Sequence, residues 1–211
     1  FSYDGNVLGV TYNNDFRVMI YNKNHLAEAG VEAVPTTPDE LLAAARAVKE
    51  KGVAEHPIGL PLSATEGTST AWYLLTKAFG GDLFDENFEP LFTDPESAGY
   101  KAMEFEISAL EEGLIDPAAT GLKDVEIQEL FKSGKITFDV AGWAGNLSVY
   151  TDAEKSQVAD GAAAALMIST TGKARTIGLP EAVGIPTGAE NKEGAVAFIN
   201  WLLEPEIQIA A

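Results

Sequence analysis

Apolar residues follow two patterns that alternate along the chain. In the first, they recur every three or four positions, the period of an amphipathic helix, as they do within residues 41–48. The start of that helix is well marked, because Thr37 can cap it, Pro38 suits its first turn and Glu40 can complete a capping box. The same period predicts helices over residues 24–29, 68–79, 124–132 and 191–203, and one that opens at residues 94–96 and packs Met103, Ile107, Leu110 and Leu114 in the core.

In the second pattern, apolar and β-branched residues form short runs, which are typical of strands. Two such runs, residues 7–12 and 17–21, flank the polar residues 13–15, which we interpret as a break between strands. Arg17, a lone cation in the second run, is expected to pair with an acid. Other runs predict strands over residues 58–62, 136–140 and 162–168, and the Gly-, Pro- and Thr-rich residues 170–188 are interpreted as a connection. Because strands and helices alternate, the sequence favours the α/β class.

Composition narrows the classes of function. The chain has 14 Lys and Arg against 32 Asp and Glu, a formal charge of −18, so nucleic acid and anionic lipid surfaces would be repelled. It has no cysteine, which excludes disulfides, thiolate metal sites and thiol nucleophiles. No apolar run approaches the ~20 residues of a membrane-spanning helix.

Motifs for catalysis and cofactor binding are missing from the sequence. Neither the dinucleotide fingerprint nor the phosphate-binding P-loop occurs. Ser69 stands between a predicted strand and a helix, but His25 and His56 both precede it, so the chain order of a hydrolase triad is absent. The acidic residues 82–87 lack the glycine that a calcium loop needs. We therefore predict no enzyme activity, cofactor or metal, although 32 carboxylates leave a glycosidase pair open.

The ends of the sequence indicate a piece of a longer protein. The chain begins at Phe1 rather than Met, without a signal sequence. It stops just after a new helix start at residues 204–206. We therefore expect the chain to be a fragment.

The first half of the chain carries motifs of a known family. Residues 10–23, which end in Tyr-Asn-Lys, resemble the crossover strand of the extracellular solute-binding proteins of ABC sugar importers, the family of the maltose-binding protein. In that family the strand leads to a short helix that ends in Ala-Gly, found here at residues 29–30. A Pro/Thr-rich turn and a capped helix follow, found here from residue 35.

The second half continues the resemblance in the same order. Residues 131–138 are similar to the family's F-x-x-G-K run. Residues 141–144, Ala-Gly-Trp-Ala, are similar to its Gly-Pro-Trp-Ala motif, with Gly in place of Pro. Residues 184–186 and 191–203 resemble its return strand and helix. Each motif is weak alone, but together they span nearly the whole chain.

The resemblance implies an α/β fold that is periplasmic-binding-protein-like (type II), with two lobes joined by hinge strands. Residues 13–185 would form the second lobe. Residues 1–12 and 186–211 would be hinge strands and remnants of the first lobe. The implied function is capture of a sugar or oligosaccharide by hinge closure, for delivery to the membrane permease of an ABC transporter. The implied location is extracytoplasmic, either in the periplasm or lipid-anchored at the cell surface.

Trp143 follows the end of a predicted strand, where the ligand crevices of α/β sheets lie. The resemblance implies that its ring is a platform on which a sugar stacks, because an aromatic face suits the C–H side of a pyranose. Without the resemblance, a buried core Trp would be the favoured interpretation.

Polar residues supply the remaining candidate ligand contacts. Asp15 matches an acidic position that contacts sugar in the maltose-binding protein, and a carboxylate can accept several hydroxyl hydrogen bonds. Asn13, Asn14 and Tyr12 are candidates beside it, with turn residues and a packed hinge tyrosine as the alternatives. Glu66 either points into the cleft or only stabilises the start of a helix.

The residues themselves leave other functions open. The ligand could be a polyamine, which would suit the acidic charge and an aromatic box, or a peptide or metal chelate. It could also be an oxyanion, although such a site would want more basic residues. A carbohydrate hydrolase and a non-binding module that reuses the fold are rivals from other classes.

Overall fold

The computed structural model of the protein describes residues 1–210 and contains two compact units. The small unit comprises Phe1–Asp15 and the chain from Gly178 onward, and the large unit comprises Phe16–Ile177. The lobe boundaries expected at residues 13 and 185 concern the whole protein and stay predictions.

The described elements alternate between strands and helices. The strands are β1 (Ser2–Tyr3), β2 (Asn6–Val7), β3 (Val10–Asn22), β4 (Ile58–Gly59), β5 (Phe138–Trp143), β6 (Ala162–Ala165) and β7 (Gly178–Val183). The helices are α1 (Lys23–Ala29), α2 (Pro38–Glu50), α3 (Glu66–Ala78), α4 (Ala98–Glu111), α5 (Asp124–Lys132), α6 (Asn146–Tyr150), α7 (Lys192–Leu202) and α8 (Pro205–Ala210), with a 3-10 helix at Pro117–Gly121. Among residues 1–210, no helix combines the length and the apolar character needed to cross a bilayer.

A mixed sheet in the order β4-β5-β3-β6 organises the large unit. β4 and β5 are parallel, with Ile58 opposite Phe138. β3 is antiparallel to both β5 and β6. Helices cover the sheet around an apolar core that includes Leu41 and Val48 of α2, Leu74 and Leu75 of α3, and Phe138 and Val140 of β5.

The start of α2 confirms the predicted capping box. The Thr37 hydroxyl accepts the backbone N–H of Glu40 at 3.2 Å. The Glu40 carboxylate in turn accepts the backbone N–H of Thr37 at 3.2 Å, and Pro38 occupies the first turn. Gly30 ends α1 in the left-handed conformation, as its position after the helix predicts.

β3 is a single strand of 13 residues, so the predicted break at residues 13–15 is wrong. Polar side chains in a strand are compatible with pairing where they remain exposed, as Asn13 and Asn14 do. The segment 170–188, interpreted as a connection, contains β7, which pairs with β3. In both segments the local residues favour a loop, but pairing with a strand distant in sequence makes them extended.

The helix predicted to open at residues 94–96 instead begins at Ala98, with Ser97 as its cap. Of the residues predicted for its core face, Leu114 is in the core and Leu110 packs against it, but the prediction for Ile107 is wrong, since Ile107 is 47% exposed. The buried residues of the helix are Gly99, Ala102, Phe105, Glu106 and Ala109. Gly99 allows close approach, because a Cβ there would lie 2.8 Å from Leu83 and 2.9 Å from Phe92.

Glu106 is a carboxyl group inside this helix packing. Its side chain is 3% exposed, and Oε1 has no hydrogen-bond partner among the residues that the structure describes. Burial raises the pKa of Glu106 to about 8, because a charged carboxylate is poorly solvated there. The group is therefore protonated in the folded protein at neutral pH.

Candidate functional site

The carboxyl ends of β4 and β5 form the edge of the large unit around which the candidate site is built. The two strands are parallel, so the chain leaves both at the same edge, where α/β sheets commonly bind ligands. β5 ends at Trp143, and the chain that follows β4 reaches α3 at Glu66. The start of α5 lies beside this chain, because the Ser63 N–H donates to the Leu122 carbonyl at 3.1 Å.

Trp143 stacks on Arg17 across the β3–β5 pair. The two residues are register partners, and the Arg17 guanidinium carbon lies 3.5 Å from the centroid of the Trp143 ring. Arg17 is 2% exposed, whereas Trp143 is half-buried. The guanidinium therefore covers one face of the Trp143 ring, and Trp143 as a whole keeps partial exposure.

Arg17 is held by an ion pair and a backbone contact. Its Nη1 donates to Asp124 Oδ1 at 2.7 Å and to the carbonyl oxygen of Ala141. The predicted pairing of Arg17 with an acid is thus confirmed. Nε of Arg17 is buried without a hydrogen-bond partner in residues 1–210. The guanidinium is therefore stabilised by Asp124, by the carbonyl of Ala141 and by the Trp143 ring.

Asp124 connects this stack to the start of α3. A Cβ added at Gly67 would lie 2.5 Å from Asp124 Oδ2, so the carboxylate occupies the space beside that glycine. Glu66, the preceding residue, is exposed and accepts a hydrogen bond from the Thr70 hydroxyl one turn later. No side chain caps α3, and carboxylates near its positive end are favourable.

A buried polar layer lies behind Trp143. The Tyr150 hydroxyl donates to Asp139 Oδ2 at 2.8 Å, and both residues are buried. Burial raises the pKa of Asp139 to about 6, while the Tyr150 hydrogen bond and Arg17 act in the opposite direction. The Gln128 amide donates a hydrogen bond of 3.0 Å to the Asn146 side-chain oxygen, which connects α5 to α6.

The small unit holds a separate polar cluster on β3 and β7. The Tyr12 hydroxyl and the Asn13 amide both donate to Glu181 Oε2, at 3.0 Å and 3.1 Å. The hydrogen bond to Glu181 raises the pKa of Tyr12 above its ordinary value. Asn14 is exposed and Asp15 is half-buried on the same strand.

The predicted site residues therefore fall into two groups. Trp143 and Glu66 belong to the edge of the large unit, and Tyr12, Asn13, Asn14 and Asp15 belong to β3 of the small unit. Sequence reasoning missed Asp124 and Glu181, because an acidic residue among 32 is not distinctive until a partner is known. The role of each predicted residue in ligand binding stays a prediction.

Comparison with known proteins gives a consistent result. The profile of a family described as bacterial extracellular solute-binding protein matches residues 1–209. A binding protein of Brucella abortus is 27% identical over 203 residues, covering 96% of this chain and 48% of that protein. A protein of Sinorhizobium fredii, named as an amino-acid ABC transporter periplasmic-binding protein, is 26% identical, covering 95% of this chain and 44% of that protein.

Solved structures share the architecture. MalE3 of T. maritima with bound maltose superposes with a TM-score of 0.87 at 22% identity, covering 98% of this chain and 53% of that one. A chitin oligosaccharide binding protein superposes with a TM-score of 0.83 at 26% sequence identity, covering 98% of this chain and 52% of that one. An Agrobacterium vitis protein with bound D-mannitol superposes with a TM-score of 0.84 at 24% identity, covering 97% of this chain and 49% of that one. The predicted periplasmic-binding-protein-like fold is confirmed, and the chain spans about half the length of the relatives it matches.

Proposed function

Because this chain belongs to the family of bacterial extracellular solute-binding proteins, we propose that the whole protein captures a sugar, polyol or oligosaccharide for an ABC importer. Support comes from similar structures, whose ligands include maltose and D-mannitol, and from the chitin oligosaccharide binding protein. The known relatives are binding proteins, and in our proposal this protein likewise binds its solute without chemical change.

The observation that carries the carbohydrate proposal is the placement of Trp143. Trp143 is the last residue of β5, its ring is backed on one face by Arg17, and the residue is half-buried. A ring held in this way offers a flat apolar surface, which matches the C–H face of a pyranose or an extended polyol. The ring would contribute affinity with little loss of conformational entropy, since its orientation is already fixed.

Carboxylates and amides supply the polar half of carbohydrate recognition. In the large unit Glu66 and Asp124 lie at or near the Trp143 edge. In the small unit Asp15, Asn13 and Glu181 present further acceptors and donors. Hydroxyl groups of a sugar donate well to carboxylates, and such charge-assisted hydrogen bonds are the stronger kind.

The proposed mechanism is closure of the whole protein around the solute. A ligand that contacts both lobes binds the closed state more tightly and shifts the population toward it. The closed protein then docks on a membrane permease. This places the protein outside the cytoplasm, in the periplasm or lipid-anchored at the cell surface.

A second candidate ligand is an amino acid, because the Sinorhizobium fredii relative is named for amino-acid transport. An amino acid carries a carboxylate, which calls for a cation in the site. In the part of the chain that the structure describes, the cation nearest Trp143 is Arg17, and Asp124 already pairs with it. The observed residues therefore favour a neutral carbohydrate.

The test is a thermal-shift panel on the full-length protein with maltose, D-mannitol, chitin oligosaccharides, amino acids and polyamines. A ligand at about 100 times Kd should add about 2.7 kcal/mol to the free energy of unfolding, a rise of several degrees in Tm. Trp143→Ala should markedly reduce the shift, whereas the control Trp72→Phe, in the α3–α4 packing, should retain it. A shift with amino acids alone would reject the carbohydrate proposal, and sugar turnover in the incubated sample would indicate a hydrolase.

A further inference from the structure

The guanidinium of Arg17 lies against one face of the Trp143 ring. It lies 3.5 Å from the ring centroid, and it is itself fixed by Asp124 and by the carbonyl of Ala141. The side chains come from register partners on adjacent strands, so the backbone sets their spacing. A buried Arg in such a position has a cost of desolvation, which a purely apolar side chain would avoid.

We propose that Arg17 is a positioning residue, which fixes the angle at which the opposite face of the Trp143 ring is presented to the ligand. This inference rests on the proposed function, in which Trp143 is the stacking platform. Arg17 does not touch the ligand, because its own exposure is 2% and the ring covers it. Its contribution to affinity passes entirely through the orientation of Trp143.

The chemistry of the pair explains why Arg suits this position. A planar guanidinium stacks flat on an aromatic face and makes in-plane hydrogen bonds at the same time, which the ammonium of Lys cannot do. The negative electrostatic potential of an aromatic face attracts the C–H groups of a sugar. A cation without a counter-ion behind the ring would weaken that potential. The ion pair with Asp124 at 2.7 Å offsets that charge.

A double-mutant cycle on the full-length protein tests the inference. The variants are Arg17→Lys, Trp143→Ala and the double variant, titrated calorimetrically with whichever of maltose, D-mannitol or a chitin oligosaccharide the wild type binds. Arg17→Lys should weaken binding about tenfold in the wild type and by less than about twofold in the Trp143→Ala background, because coupled residues are not additive. Equal loss in both backgrounds would overturn the proposal.

The matched control is Arg46→Lys. Arg46, like Arg17, pairs with a carboxylate: its Nε and Nη2 donate to Glu112 at 2.6 Å and 2.7 Å, but it stacks on no aromatic ring among the described residues. Its substitution should leave ligand affinity unchanged. A comparable loss of affinity in Arg46→Lys would show that the effect of Arg17→Lys is a general effect of losing a guanidinium pair.

A ligand-free measurement separates this inference from the proposed function. The near-UV circular dichroism of Trp143 is obtained as the difference between the wild type and Trp143→Phe. Arg17→Met should remove this signal while the far-UV spectrum is retained, and Arg46→Lys should preserve it. An unchanged Trp143 signal in folded Arg17→Met overturns the positioning role, whether or not any sugar binds. Absence of sugar binding with loss of the signal rejects only the proposed function.

Discussion

The hydroxyl of Tyr150 donates a hydrogen bond of 2.8 Å to the carboxyl group of Asp139, and both side chains are buried. Burial raises the pKa of Asp139 to about 6 from an ordinary value of 3.8, and the Tyr150 hydrogen bond opposes that rise. Tyr150→Phe should therefore destabilise the protein by about 1–3 kcal/mol, the cost of leaving a buried polar group without its partner.

The loss in Tyr150→Phe should depend on pH. Above pH 6 Asp139 is ionised in the folded protein and depends more on its donor, so the free energy of unfolding should fall further at pH 8 than at pH 5. Urea denaturation at both pH values measures this. Tyr100→Phe, an exposed tyrosine on α4, is the control and should cost little at either pH. A pH-independent loss would contradict the assignment of Asp139 as the titrating partner.

Because Glu106 is buried, we expect the free energy of unfolding to decrease toward alkaline pH. Its pKa is raised to about 8 in the folded protein from 4.5, so the folded state binds more protons than the unfolded state between these values. The stabilisation from this group is complete below pH 4.5 and is lost as the pH rises through 8. Each unit of pKa shift corresponds to about 1.4 kcal/mol, which makes the total a few kcal/mol.

Glu106→Gln should remove this decrease, because the amide stays neutral at every pH. Urea denaturation from pH 5 to pH 9 should give a flatter stability profile than the wild type, with the variant more stable at the alkaline end. Glu104→Gln is the matched control, since Glu104 lies on the same helix but is exposed. If both variants give the wild-type profile, Glu106 is not the group responsible.

Gly67 is expected to tolerate no larger side chain. The Cβ of Gly67→Ala would lie 2.5 Å from Asp124 Oδ2, and that carboxylate is held by Arg17. We expect a loss of about 1–3 kcal/mol, typical of overpacking, despite the better helix propensity of Ala. Thermal unfolding measures it against Gly121→Ala, where a Cβ meets nothing within 4 Å. Equal stability of the two variants would show that Asp124 moves aside freely.

The Tyr12–Glu181 hydrogen bond can be tested by titrating the Tyr12 phenol. The hydrogen bond to Glu181 raises the pKa of the Tyr12 phenol, so Glu181→Gln should lower that pKa toward its ordinary value. The ¹³Cζ chemical shift of Tyr12, followed by NMR against pH, measures this pKa directly. Glu190→Gln, in the loop before α7, should leave the Tyr12 titration unchanged. If the pKa of Tyr12 is the same in Glu181→Gln as in the wild type, the contact does not exist in solution.

Elements specified by local signals could be predicted from the sequence. The capping box at Thr37 and Glu40 fixes the start of α2, and α5 occupies the predicted residues 124–132. The α/β class and the solute-binding family were likewise predictable, and both are confirmed. In these cases the information lies within a few neighbouring residues or in the order of the motifs.

Features that depend on distant partners could not be predicted. The continuity of β3 and the existence of β7 rest on pairing between segments far apart in sequence. The buried face of α4 includes Phe105 together with the close approach at Gly99, and it leaves Ile107 exposed. In the candidate site, the motif makes Trp143 a predicted ligand contact, but no local signal predicts that it stacks on Arg17 or that Asp124 pairs with that arginine.

The parallel pairing of β4 and β5 has a consequence for how such a protein can evolve. The strands lie in the core, while the residues that we propose as ligand contacts, Glu66 and Trp143, lie at the start of α3 and at the end of β5. Under the proposed function, selection for a different ligand could act on these segments with little penalty to the sheet. A duplicated gene could then diverge in ligand preference while keeping the same sheet and the Arg17–Asp124 ion pair.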